Sequence, residues 1–545
     1  MTPSPAAHRR RPEVHTETLL AIAAVFILVS GNGPFWRAAL AGRAGSDPAT
    51  WLFGAAVFLT LASFYFAFTA LLATRHTVKP LVSMLLVVTA AASYFMDRYS
   101  VYLDRTMMRN VLATNPKEAG ELVGWGMAVH VLAFGMVPAA LVWWPAIKRH
   151  GWRRAAIVRL ACVVGAIAIG TASLLLVFAD AASMMRNHRE MRWLVTPGNI
   201  VAALSAETFG RTAPAGPKAP VASDAARTAG ARPKLFVLVV GETARAQNFS
   251  LNGYARTTNP ELTRRGVINF PDATSCGTST EVSLPCMFSL AGRAHYDESK
   301  ILAQESVLHV LARTGVQVLW RDNQSGCKGV CDGLPVQQLD HEAVPGLCEG
   351  GQCFDEILVR GMEGIVAGSN GDMLVVMHQL GSHGPAYSKR YPPAFRKFQP
   401  ACDSDDLRQC DSAAIVNAYD NTILYTDHVL GQVIDLLATA GKTHDTAMLY
   451  VSDHGESLGE GGLYLHGVPY AIAPRVQTHV PFVMWLSPAF RAGSGIDEAC
   501  VRMRSAQPVS HDNLFHTLLG SFSVRTSVYD PALDVLAACR TKRSN

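Results

Sequence analysis

The chain has 545 residues, more than one ordinary domain holds, with 49% hydrophobic and only 17% charged residues, against about 25% charged in a typical soluble protein. The net charge of +5 comes without a dense basic stripe, which argues against nucleic acid as a partner. The apolar excess lies almost wholly before about residue 180, so a membrane part followed by a water-exposed part is expected.

In chain order, the first predicted elements are five apolar stretches of membrane-crossing length, near 19–40, 51–74, 80–96, 123–147 and 155–178. The first is read as a span and not a cleaved signal, because four more follow and no small-residue cleavage site is evident. Arg9, Arg10 and Arg11, then Arg75, His76 and Lys79, then Lys148, Arg149, Arg153 and Arg154 fall on one side of these spans. The positive-inside rule makes that side cytoplasmic and puts everything after residue 180 outside. The loop near 97–122 is then periplasmic, with Asn110, Thr114 and Glu118 four residues apart and on one face if helical; read alone, it is a solvated interfacial helix. Residues 181–211 mix Met184, Met185, Met191, Trp193 and Leu194 with Arg186, Arg189 and Arg192, as a helix along a membrane surface would. Thr212 to Lys234, rich in Ala, Pro and Gly, reads as a flexible linker. The expected division is a five-span transmembrane domain over 1–180, an interfacial helix and linker over 181–232, and a periplasmic domain over 233–545.

From Pro233 the texture changes to short β-branched runs, LFVLVV (235–240), VQVLW (316–320), MLVVM (373–377), AMLYV (447–451) and VPFVMW (480–485), with helical stretches such as 306–314 and 419–437 between them. This alternation predicts an α/β domain with a mostly parallel sheet covered on both faces, whose sites form beyond the carboxyl ends of the strands. Those ends carry Glu242 in GETARA, Asp322, Asn323 and Lys328 in RDNQSGCKGVC, His378 and His383 in HQLGSHGP, and Asp453 and His454 in SDHGE, followed by His466. A lone histidine after a strand is more often a structural hydrogen-bonding residue, and DHG can be a turn in which Asp caps a helix. The coincidence at several strand ends of one sheet points instead to a metal, and carboxylate oxygens with imidazole nitrogens suit Zn²⁺.

Between the first two strands, ATSCGTSTEVSLPCMFSL (273–290) brackets Thr278, Ser279, Thr280 and Ser283 between Cys276 and Cys286. Taken alone this is equally a Ser/Thr-rich turn stapled by cysteines; beside Zn²⁺, a hydroxyl there becomes an accessible alkoxide nucleophile. Of eleven cysteines, Cys162 sits alone in an apolar run and the rest follow residue 270. The first eight of those fall in close sequential pairs, which reads as neighbour-paired disulfides in an oxidising compartment. A zinc finger beginning at Cys327 and Cys331 is the rival, and Cys500 with Cys539 is the pair least fixed by spacing.

The pieces GETARA (241–246), TSCGTSTEVSLPCMFS (274–289), CKGVCD (327–332), GSHGPAY (381–387), YDNTILYTD (419–427), SDHGESLGE (452–460) and LHGVPY (465–470) follow one another across the second half. With them and the five-span half, the chain closely resembles the lipid A phosphoethanolamine transferases, including the mobile colistin-resistance enzymes, of the alkaline phosphatase and sulfatase superfamily. The resemblance implies Thr280 as the nucleophile that becomes phosphoethanolaminated. It implies Glu242, Thr280, Asp453 and His454 as ligands of one catalytic zinc. His383 and His466 would bind the phosphate or a second zinc, one of them protonating the leaving group. Lys328 would contact substrate, Asn110, Thr114 and Glu118 the ethanolamine headgroup, and His378, also a family histidine, is taken as a substrate contact. A phosphatidylethanolamine donor, a lipid A phosphate acceptor, polymyxin resistance and a multi-pass inner-membrane location follow in the same way, and a monomer is expected. Glu281 departs from the small or neutral residue expected after the nucleophile. The segment after Pro285 lacks the C/S-x-P-x-R type motif of sulfatases, which argues against sulfate ester hydrolysis. The rivals are a sister transferase, moving phosphoglycerol or acting on a core sugar or periplasmic glycan, and a non-catalytic sensor or transport protein.

Overall fold

A computed structural model describes residues 11–114, 119–120, 122–187, 189–210, 217–228, 230–349 and 352–541. Its internal contacts divide the chain into one unit of Met1–Met108 with Val123–Thr208 and another of Arg109–Leu122 with Phe209–Asn545.

The first unit is helical. Helices α1 (Thr16–Ser30) and α2 (Gly33–Ala39) form a pair bent by 67°, followed by α3 (Pro48–Leu72) and α4 (Val78–Tyr99). After α5 (Arg105–Ala113), which straddles the division, come α6 (Trp125–Val142) and α7 (Trp152–Leu176). Four of these helices are long and apolar enough to cross a membrane, and the spans number five when the bent pair counts as one. Asn32 sits in the bend: its buried side-chain amide donates to the carbonyls of Ile27 at 3.0 Å and Thr196 at 2.9 Å, tying the break to a distant stretch of the chain. The outer faces stay apolar, and Trp51, Trp125, Trp143, Trp144 and Trp152 lie exposed near helix ends, as interfacial anchors do. Where α3 meets α7, a Cβ on Gly170 would stand 3.0 Å from the Ser63 Cβ, so the missing side chain lets the backbones approach.

The second unit is built on an eight-stranded sheet of β1 (Lys234–Gly241), β2 (Ile268–Thr274), β3 (Gln317–Asp322), β4 (Val336–Gln338), β5 (Met373–His378), β6 (Asp445–Ser452), β7 (His479–Leu486) and β8 (Val509–Ser510), in the order β8-β2-β7-β6-β1-β5-β3-β4. All five anticipated strands are present. VPFVMW, in β7, runs antiparallel to both its neighbours, which suits a strand reached from β6 without a crossover helix. Three short or mixed strands, β2, β4 and β8, complete the sheet. Along β1, Phe236, Leu238 and Val240 face a layer with Leu284, Phe288 and Phe515. Leu235, Val237 and Val239 face Ile415, Tyr419, Ile423 and Val433, so the strand is apolar on both sides as a central parallel strand should be. The helices of these layers include α8 (Thr280–Met287), α9 (Ser412–Ala440) and α10 (Asp512–Ser521).

The stretch read as a flexible linker is held to this unit over residues 217–228. Val221 and Ala222 are buried in the core, the Ala219 N–H donates to Ala303 at 2.8 Å, and Arg227 pairs with Asp372. Two small core residues and hydrogen bonds from backbone and polar side chains such as Lys218 and Arg227 do the holding, which is why a stretch poor in large apolar residues looked free. Cysteines pair as Cys276–Cys286, Cys327–Cys331, Cys348–Cys353, Cys402–Cys410 and Cys500–Cys539, while Cys162 is a free thiol. Cys327 and Cys331 therefore begin no zinc finger.

Candidate active site

Strand ends assemble the site. The parallel pairing of β1 with β6 sets Gly241 opposite Ser452, so Glu242 and the Asp453–His454 pair leave the sheet side by side. The Asp453 N–H donates to the Gly241 carbonyl at 2.9 Å. The loop after β5 crosses directly over Glu242: the Ser382 N–H donates to the Glu242 carbonyl at 2.9 Å. Gly381, at φ +57°, comes so close that a Cβ would lie 2.6 Å from the same oxygen, so only glycine fits there. Thr280 opens α8 after an extended Ser279, and the Cys276–Cys286 disulfide brackets this turn. Thr280 therefore sits at the positive end of a helix, where unpaired N–H groups favour an anion.

The Thr280 Oγ1 lies 3.1 and 3.3 Å from the two carboxylate oxygens of Glu242 and 3.4 Å from His454 Nε2. His454 Nε2 is 3.3 Å from both Glu242 Oε1 and Asp453 Oδ2, and Glu242, Asp453 and His454 are all fully buried. His454 Nδ1 faces the Gly455 carbonyl at 2.9 Å, which fixes the ring with Nε2 toward Thr280. One donor atom from each of Glu242, Asp453 and His454 lies within 4.8 Å of the others.

Charge makes the same point. Burial and the neighbouring Glu242 push the Asp453 carboxyl up to about 6. Burial alone would raise Glu242 and lower His454; the pair interaction outweighs it, holding Glu242 well below the usual carboxylate range and lifting His454 to about 10. Two buried carboxylates thus draw a positive charge onto the one imidazole between them. Asp453 Oδ2 is buried without a hydrogen-bond partner. A divalent cation is the group that satisfies such a donor set, and carboxylate with imidazole donors suits zinc.

Around Thr280 lies a cleft lined by Asn110, Thr114, Ser279, Glu281, Gln324, Ser325, Lys328, His383 and His466. His466 Nδ1 is 2.9 Å from Glu456 Oε2, and the Tyr387 hydroxyl donates to the other oxygen of Glu456 at 2.8 Å. The His466 ring centroid is 4.4 Å from that of His454 and 5.5 Å from that of His383. Asn110 and Thr114 reach this cleft from the end of α5, where the Thr114 hydroxyl and N–H both donate to the Asn110 carbonyl. Glu118 lies outside the described residues.

His378 is placed differently from its expected substrate contact. It is fully buried, with Nδ1 2.9 Å from Asp322 Oδ2 and Nε2 3.9 Å from Glu242 Oε2. Being the last residue of β5, it points its ring beneath Glu242 and not into the cleft. Behind the site stands Asp322, already named at its strand end, which accepts from the Trp320 indole at 2.7 Å, together with two groups that sequence reading missed: Gln324, whose amide donates to Glu242 at 3.3 Å, and Glu456 behind His466. Of these two, only Glu456 had a signal, as an acid in the SDHGESLGE segment.

The family description Phosphoethanolamine transferase EptA/EptB matches residues 61–208, and Sulfatase matches residues 234–524. The phosphoethanolamine transferase EptA of Escherichia coli K12 is 39% identical over 542 residues, 97% of this chain and 98% of its own. The phosphatidylethanolamine transferase Mcr-1 of Escherichia coli is 39% identical over 487 residues, 87% of each chain. The solved integral membrane protein lipooligosaccharide phosphoethanolamine transferase A of Neisseria meningitidis superposes with a TM-score of 0.93 at 36% identity, covering 97% of this chain and 100% of that one.

Proposed function

The chain belongs to the EptA/EptB phosphoethanolamine transferase family, and from that premise we propose that it moves phosphoethanolamine from phosphatidylethanolamine to a phosphate of lipid A by way of Thr280 and with zinc as cofactor. The observation that carries this reading is the Thr280 hydroxyl, held 3.1 Å from Glu242 and 3.4 Å from His454 at the start of a helix. The enzyme sits in the bacterial inner membrane through a domain at 1–180. Its catalytic unit, which takes in residues 217–228 as well, lies in the periplasm, where its five disulfides form.

Glu242, Asp453, His454 and Thr280 would hold the zinc. When bound, it lowers the pKa of the Thr280 hydroxyl and offsets charge on the phosphoryl oxygens. The chain's own groups do the rest. Thr280 Oγ1 gives up its proton and attacks phosphorus, the new O–P bond replaces the bond to diacylglycerol, and the departing oxygen takes a proton in turn. His383 and His466, which line the cleft around Thr280, would hold or deliver that proton, with Glu456 fixing the ring of His466. The N–H groups at the start of α8 would stabilise the same phosphoryl oxygens. A lipid A phosphate oxygen then attacks phospho-Thr280, and the threonine hydroxyl is restored. Asn110, Thr114 and Lys328 line the headgroup space.

The test is mass spectrometry of the full-length enzyme with phosphatidylethanolamine and no lipid A. A phosphoethanolamine adduct on Thr280 with release of diacylglycerol is expected, and Thr280→Ala should lose both the adduct and the lipid A product. Near-normal transfer by Thr280→Ala would overturn the nucleophile, and modification of a core sugar in place of lipid A would overturn the acceptor.

A further inference from the structure

Glu281 directly follows the nucleophile and makes an ion pair that the mechanism does not use. Its Oε1 lies 2.7 Å from Lys328 Nζ, and the two side chains are only 13% and 10% exposed. Lys328 Nζ also donates to Ser325 Oγ at 2.8 Å. Lys328 takes a positive φ of 50°, a conformation non-glycine residues seldom adopt, inside the short loop closed by Cys327–Cys331. Both charges line the cleft beside Thr280. Two opposite charges are thus held together, little hydrated, in the space the donor headgroup must enter.

We propose that Glu281 is an ammonium subsite for the donor: the phosphoethanolamine headgroup enters by ion exchange, its ammonium taking Glu281 and its phosphate taking Lys328. This deepens the transfer reading and rests on it. The exchange is balanced in charge. One buried pair opens and two pairs form, so neither protein charge is left alone. The ammonium is only two carbons and one oxygen from phosphorus, and Glu281 follows Thr280 directly and lines the same cleft. A donor without a cation, such as phosphatidylglycerol, can pair with Lys328 only by leaving the Glu281 carboxylate nearly buried and unpaired, which is strongly unfavourable. The same pair therefore selects for an amine and against anionic headgroups.

The experiment measures Thr280 adduct formation by the full-length enzyme with phosphatidylethanolamine, its N-acetyl derivative and phosphatidylglycerol, for the native chain, Glu281→Gln and Glu281→Ala. The native chain should strongly favour phosphatidylethanolamine. Both variants should lose about tenfold of that preference, mainly through a higher KM for phosphatidylethanolamine, and should gain a phosphoglycerol adduct. Zinc content and Tm of the nearly isosteric Glu281→Gln check the fold. Variants that keep the native preference would show that Glu281 only tethers Lys328, and would overturn the inference while the transfer reading stands. Absence of any adduct in the native chain would bring down the transfer reading and this one with it.

Discussion

His511 joins the two sides of the site as a neutral ring. It accepts a hydrogen bond from the Cys276 N–H at 3.1 Å, and its Nε2 faces the Ser452 carbonyl at 2.9 Å. Burial pushes its pKa down to about 4. The folded state therefore binds fewer protons than the unfolded chain between about pH 6.5 and 4. The stability this ring contributes is complete above pH 6.5 and is lost as pH falls through 4, a loss on the order of 3 kcal/mol. Tm measured from pH 7 to pH 4 should fall, and His511→Gln, less stable at pH 7, should show a flatter acid limb. An unchanged acid limb in that variant would remove His511 as the cause. A second prediction concerns Glu456, which is fully buried behind His466. Glu456→Gln should slow adduct formation by about 10- to 100-fold with zinc retained, as read by adduct kinetics and metal analysis; a normal rate would mean that His466 needs no fixing. These two residues mark the limit of sequence reading at this scale. Glu242, Asp453 and His454 were legible because strand ends of a parallel sheet collect ligands. His511, Gln324 and Glu456 act through a second residue, and a hydrogen bond from behind leaves no periodic trace. His378 shows the converse: its motif position was visible, its burial was not.

At the scale of elements, α8 is the piece on which the proposed chemistry turns. It has eight residues with Pro285 inside, too short to hold itself in place, and Cys276–Cys286 and the core residues Leu284 and Met287 fix it. Replacing both cysteines by serine should lower stability by about 3 kcal/mol, as closure of a loop of this size suggests. It should also reduce the Thr280 adduct rate more than the fall in folded fraction explains; parallel Tm and rate measurements separate the two. Helix α9 shows why some elements were only half legible. It runs from Ser412 to Ala440 with Asp411 capping Ala414 at 2.7 Å, well beyond the stretch at 419–437. Its inward face carries buried polar residues where an amphipathic pattern would show leucines. Asp420 accepts from Tyr254 and Arg256, both at 2.8 Å, and Asp427 accepts the Glu261 and Leu262 N–H groups at 2.7 and 3.0 Å. Such a face reads as solvent-exposed until its partners, more than 150 residues earlier in the chain, are placed. The strands of two and three residues, β8 and β4, were invisible for a simpler reason: hydrogen bonding to a neighbour defines them, not composition.

For the whole molecule, metal and topology are the properties to measure. Purified full-length protein should carry zinc, and Asp453→Ala or Glu242→Ala should lose it; full occupancy in both variants would remove this cluster as the ligand set. Chelation should lower Tm, because a ligand bound only by the folded state stabilises it. A membrane-impermeant thiol reagent should label a cysteine placed at an exposed position of the second unit in intact cells, and not one placed at His76 or Arg149, as the basic loops require. The broad plan, membrane helices followed by an α/β unit, was readable from hydropathy and strand spacing because both are properties of long runs. The attachment of residues 217–228 was not, since it rests on individual hydrogen bonds. Finally, four of the five disulfides join cysteines only 4 to 10 residues apart, and the fifth spans 39. Partners so close cross the membrane within moments of each other during secretion, before a later cysteine can compete for them. Maturation then needs an oxidant but no proofreading of bonds, so a bacterial host with a thiol oxidase and no disulfide isomerase should yield the active enzyme in full.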